Sequence, residues 1–151
     1  MLHCPRGPKG RRLNEVVGLR LLNAMSLAPK KSYEFRRTHR LVGKSAFAEV
    51  MDAKVRKNAG PLTVMAKPNE LRHLRIGIAV PKRVGIAVKR NRIKRLLREA
   101  FRLAQHDWAS GYDVVCLVRP HDTLILAEYQ KLLFQGIRGV IQEWARRTKK
   151  A

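Results

Sequence analysis

The chain has 151 residues, 45% of them apolar, and a formal net charge of +22. That length supports one domain with a real core, and the apolar share excludes wholesale disorder. The charge far exceeds the magnitude of about 2–8 that solubility asks for, so it points to a polyanionic partner, nucleic acid first and an anionic membrane surface second. Two cysteines, Cys4 and Cys116, lack any ligand spacing. They suggest no disulfide framework and fit a reducing cytoplasm. No stretch approaches the ~18–20 consecutive apolar residues of a membrane span.

Residues 1–32 read as a basic extension that stays disordered until it meets nucleic acid. The opening "MLHCPRGPKGRR" is rich in Pro, Gly and charge, and residues 13–27 predict only a short, weak helix. "VVGLRLLNAMSLA" faintly resembles a signal peptide, but Arg20 and Asn23 interrupt its apolar region. The folded part is expected from Tyr33. "KSAFAEVMDAK" (44–54) has Phe47, Val50, Met51 and Lys54 at helical spacing, with Gly43 as N-cap. "PLTVMAK" (61–67) predicts a short strand. "LRIGIAVPK" (74–82) alternates strictly. Leu74, Ile76, Ile78 and Val80 share one face, and Arg75, Gly77 and Ala79 take the other, so a strand with one dry side is expected. Pro81 ends its ladder.

"KRNRIKRLLREAFR" (89–102) predicts a helix with two stripes. Ile93, Leu96, Leu97, Ala100, Phe101 and Ala104 make the apolar one. Asn91, Lys94, Arg95, Arg98 and Arg102 lie well away from it. "YDVVCLVRP" (112–120) has a continuous apolar run, the mark of a strand covered on both faces. Cys116 within it reads as a small buried hydrophobe. Residues 125–147 predict a long helix with Leu126, Tyr129, Leu133, Ile137, Val140 and Trp144 on one side. Gly136 and Gly139 in it would allow close packing. Helix, strands, basic helix, strand and helix together predict an α+β or α/β sandwich.

Catalysis by side chains finds little local support. His3, His39, His73, His106 and His121 are scattered, and none has metal-ligand spacing. The eleven acids are isolated apart from Glu49 and Asp52, which read as solvated helix positions. A two-metal nuclease would need several convergent carboxylates. A charged helix face is ordinarily a solvated one with both signs mixed. Between Lys82 and Arg98, however, stand eight Lys or Arg and no acid. Such like charges repel at i, i+3 and i+4, so the arrangement serves something other than the helix. No helix-turn-helix or zinc pattern is present. Aromatics are 6% of the chain, so base stacking is limited. Phosphate and sugar contacts should dominate, which suits a folded RNA recognised by shape. A ribosomal or ribosome-assembly protein would share these properties, and a DNA-architectural protein is a third reading.

Arg90-Asn91-Arg92 followed by "IKRLLREAFR" resembles the signature of the bacterial ribonuclease P protein component. "RIGIAVPKRVGIAV" (75–88), "FRRTHRLVGKSAFAEVM" (35–51) and "YDVVCLVRP" are also similar to that family. The resemblance covers residues 33–147 and leaves 148–151 as a basic tail. It implies a compact two-layer α+β sandwich of order αβββαβα, with a left-handed crossover through the basic helix. It implies a cytoplasmic subunit of an endoribonuclease that removes the 5′ leader of precursor tRNA. The RNA subunit would carry the chemistry with Mg²⁺, leaving no catalytic or metal-binding side chain here and no stable protein partner. By position, Lys89, Arg90, Asn91, Arg92, Lys94, Arg95, Arg98 and Arg102 would meet the RNA subunit. Phe47, Met51, Met65, Lys82 and Arg83 would line the leader cleft. Met51 and Met65 stand where the family usually has aromatics, and a thioether packs on a base without stacking like a ring.

Overall fold

Four short strands carry the apolar alternation and pair into one sheet. In the computed structural model, which describes residues 32–151, they are β1 (Arg56–Ala59), β2 (Leu62–Pro68), β3 (Arg75–Ala79) and β4 (Tyr112–Val118). The helices are α1 (Lys44–Asp52), α2 (Ala87–Ala104) and α3 (Leu126–Lys150), which gives the order αβββαβα. The extension expected over 1–32, with its weak helix at 13–27, lies outside the described residues apart from Ser32.

The strand order is β1-β2-β4-β3. β4 pairs antiparallel with β2, Val64 opposite Cys116, and parallel with β3, Ile76 opposite Val114. A parallel pair needs a long crossover, and α2 supplies it. β1 has no counterpart in the periodicity. Its sequence, Arg-Lys-Asn-Ala, is polar, and three of its four residues are exposed. Pairing makes it a strand: Ala59 faces Leu62 across a Gly60-Pro61 turn, with Gly60 at φ 55°.

One face of the sheet presents Leu62, Val64, Ala66, Ile76, Val114, Cys116 and Val118 to the main core. α2 adds Ile93, Leu97, Ala100 and Phe101, and α3 adds Tyr129, Leu133, Ile137 and Val140. This is the two-layer sandwich. Gly136 lets α3 come down on β2, since a Cβ there would stand 2.4 Å from Val64 Cγ2. Trp144 fixes the far end of the contact: its Nε1–H donates to the Ala66 carbonyl at 2.7 Å.

The opposite face carries a smaller cluster of Leu41, Val50, Met65 and Val115 under α1, with Phe47 packed against it. This corrects the one-sided reading of β3. Ile76 enters the main core as expected, but Gly77 on the other face is also buried. A Cβ at Gly77 would lie 2.4 Å from Phe47 Cζ, so the ring rests on bare backbone. The edge of β3 is extended by Arg40, which bridges to Ile76, and by the Leu41 N–H, which donates to the Ile76 carbonyl at 3.0 Å.

The basic tail expected at 148–151 is instead helix as far as Lys150. Thr148 Oγ1–H donates back to the Trp144 carbonyl at 3.0 Å, and Arg147, Lys149 and Lys150 occupy the last turn. Cations there complement the negative end of the helix dipole, so the charge that suggested a tail suits a helix end.

Cys116 is fully buried in the central strand, and burial pushes its thiol up to about 12. In the folded chain it should resist iodoacetamide at pH 8.5 and react once urea unfolds the protein, as peptide mass spectrometry would read. The unfolded thiol loses its proton near 9 while the folded one holds it to about 12. The unfolded state therefore binds fewer protons in that window, and this group makes stability fall as pH rises through it.

Candidate nucleic-acid interface

The lead-in to α2 is built to present charge. β3 ends before Pro81, and a 3-10 turn, Lys82–Val84, follows. Val84 is buried and anchors that turn in the core, while Lys82 and Arg83 stay exposed. α2 then begins after Ile86, which offers no side-chain cap, and its first turn holds no acid. Lys89 and Arg90 stand there instead. Cations at a helix N-terminus oppose the macrodipole by about 0.3–1 kcal/mol each, so nothing in the helix's own stability asks for them.

Along α2 the two stripes separate as the period predicts. Ile93, Leu97, Ala100 and Phe101 are buried, and Leu96 and Ala104 half-buried. Asn91, Arg92, Arg95 and Arg98 are exposed, and Lys89, Arg90 and Lys94 half-buried. Among the described residues, none of the six cations from Lys89 to Arg98 forms an ion pair. Arg90 Nε is turned from solvent and has no acceptor.

Arg102 differs from the others. Its guanidinium holds both oxygens of Glu99, at 2.8 and 2.5 Å, and Nη1 donates to the Tyr33 carbonyl at 3.1 Å. The hydrogen bonds from Arg102 hold the Glu99 carboxyl below its ordinary value. Arg102 thus ties the chain's entry to α2, and the uncommitted basic face runs from Lys82 to Arg98. Two apolar side chains flank it unannounced by the helical period: Ile86 and Val88 are 74% and 75% exposed. Their place off the apolar stripe was the available signal.

On the other side of the sheet, Phe47 and Met51 lie one turn apart on α1. They line a concavity of about 540 Å³ with Gly43, Lys44 and Ala48. Met65 packs beneath α1 and is only 9% exposed, so it forms floor and offers little surface. The accessible apolar groups are Phe47 and Met51. Two acids near this face are engaged, and the first, Asp113, takes Arg75 through two bonds, at 2.8 and 2.5 Å, and Asn69 Nδ2 at 2.6 Å. The bond to Asp113 raises the Arg75 guanidinium in return. Glu49 is exposed, as expected of a solvated position, and is the second engaged acid: it pairs with Lys67 at 2.9 Å between α1 and β2.

The histidines are less scattered than their numbering. His39 and His73 stack edge to face with centroids 5.4 Å apart. Burial, then the neighbouring charges led by His73, lowers the His39 imidazole. Among the described residues, no group of three or more His, Cys, Asp or Glu could hold a metal ion, and no helix is long and apolar enough to cross a membrane.

The ribonuclease P family profile matches residues 35–140. The ribonuclease P protein component of Methylococcus capsulatus is 47% identical over 78 residues, 51% of this chain and 61% of that protein. The one from Photobacterium profundum is 39% identical over 100 residues, 66% of this chain and 85% of its own length. Among solved structures, the Staphylococcus aureus RNase P protein superposes with a TM-score of 0.58 at 27% identity, over 66% of this chain and 93% of its own. The Thermotoga maritima RNase P protein gives 0.59 at 26%, over 66% and 96%. A basic helix crossing between parallel strands, a covered cleft face and a profile match through both place the chain: it belongs to the ribonuclease P protein family.

Proposed function

We propose that the chain is the protein subunit of ribonuclease P, which assists removal of the 5′ leader from precursor tRNA. The observation that carries this reading is the uncommitted basic face from Lys82 to Arg98 on a member of this family. Lys89, Arg90, Arg92, Lys94, Arg95 and Arg98 meet phosphates of the catalytic RNA. Asn91 adds an amide that both donates and accepts, which a lysine cannot do. Neutralising charge there lets two polyanions, catalytic RNA and substrate, approach each other. Lys82 and Arg83, with Phe47 and Met51 across the covered face, hold the leader. Mg²⁺, needed for the hydrolysis, sits on the RNA. The engagement of Asp113, Glu49 and Glu99 by Arg75, Lys67 and Arg102 fits that division.

Cleavage of precursor tRNA tests it. The isolated protein should cleave nothing, and added to a bacterial ribonuclease P RNA it should lower the Mg²⁺ needed for cleavage. Robust cleavage without RNA, or no change in the Mg²⁺ requirement, would sink it. The leader contact has its own test. Met51→Ala is at an exposed position, so the fold should survive. It should weaken binding of precursor tRNA a few-fold, about 1 kcal/mol, and leave leaderless tRNA unchanged. Equal losses for both would place Met51 outside the leader contact.

A further inference from the structure

A second pocket lies on α3, apart from both the α2 face and the α1 cleft. It measures about 240 Å³ and sits between α3 and the loop after α2. Trp108 and Phe134 form its aromatic wall, with ring centroids 5.3 Å apart and planes tilted by 36°. Arg138, Gln142 and Asp107 supply its polar groups. Phe134 is off the stripe that α3 buries, and it is 39% exposed. Arg138 forms no ion pair or hydrogen bond among the described residues, although Asp107 lines the same pocket. The Trp108 Nε1–H has no acceptor there either, whereas Trp144 satisfies its own on Ala66.

We propose that this pocket is a second nucleic-acid contact, which takes one unstacked base of an RNA strand. Its volume is below the roughly 300–1,000 Å³ of drug-sized sites and suits a single planar ring system. The aromatic wall supplies a stacking face that any base can use. The uncommitted Arg138 supplies the cation for the adjoining phosphate. A chain of net charge +22 draws a polyanion to such a pocket and repels a second basic copy. The rim adds a preference. The Asp107 carboxylate accepts from an exocyclic amine, so cytosine should bind better than uracil, which stacks similarly but has no amine. The proposal does not depend on which RNA α2 meets.

The test is nuclear magnetic resonance on the full ¹⁵N-labelled chain, titrated with pentacytidylate and with pentauridylate. A salt concentration of about 0.5 M suppresses contacts made by phosphate alone. The Trp108 indole signal should move, more with the cytidine strand, while the Trp144 indole signal stays and reports an intact fold. Phe134→Ala at that salt, and Arg138→Gln in a parallel titration at about 0.1 M where its phosphate contact persists, both at exposed positions, should each weaken the Trp108 response about five- to tenfold. Three results overturn the proposal. One is a silent Trp108 while α2 amides shift. Another is a Trp108 response that neither variant weakens. The third is a Trp108 signal that depends on protein concentration without RNA, which would give the pocket to a second copy of the chain.

Discussion

Leu97→Ala should cost about 2–5 kcal/mol of stability, the range for truncating a fully buried leucine. Leu97 has no exposed surface and sits in the main core, with buried residues of α3 and the sheet. Its removal leaves a cavity that α2 cannot close, because Ile93 and Phe101 hold the helix on either side. Arg95→Ala, two residues away on the exposed face, should leave stability unchanged or raise it slightly by relieving like-charge repulsion. Urea titration of both variants reads the contrast. Loss of folding in Arg95→Ala with full stability in Leu97→Ala would mean that α2 is turned about its axis.

Replacing Arg92, Arg95 and Arg98 together by alanine should weaken binding to the ribonuclease P RNA on the order of a hundredfold or more at low salt. All three are exposed and unpaired, so each is available to a phosphate. The plot of log affinity against log salt should flatten by about 2–3 units, since each lost phosphate contact removes about 0.7–0.9. Asn91→Ala should instead keep the slope and lower cleavage, because its amide carries geometry and no charge. A triple variant with an unchanged slope would move the RNA to another surface.

Much of α2 was legible because a 3.6-residue period sorts side chains with no knowledge of the partner. Arg102 shows where that sorting stops. It lies on the basic stripe, and only the structure shows it spanning from Glu99 to the Tyr33 carbonyl. The contact to Tyr33 joins residues far apart in sequence, which no local pattern reports. β1 was silent for a similar reason, since Arg-Lys-Asn-Ala has no alternation and becomes a strand by pairing with β2. Met65 was placed in the cleft by its position in the resemblance, which does not say what covers that face of β2; Val50 and Leu41 share its buried cluster. The approach of His39 to His73, and the pocket between Trp108 and Phe134, likewise depend on elements meeting in space.

If α2 meets the catalytic RNA as proposed, its bare start would make that RNA a structural part of the protein. With no acid in the first turn and no side chain capping it, Lys89 and Arg90 leave that end with an uncompensated positive field. A phosphate bound there would do what an aspartate cap does in other helices, supplied by another molecule. Free protein and complex should therefore answer salt in opposite senses. Added salt screens the self-repulsion and firms the lone fold, while it loosens the fold's hold on the RNA. On that reading, plentiful RNA would supply the missing counter-charge and make folding and assembly one equilibrium.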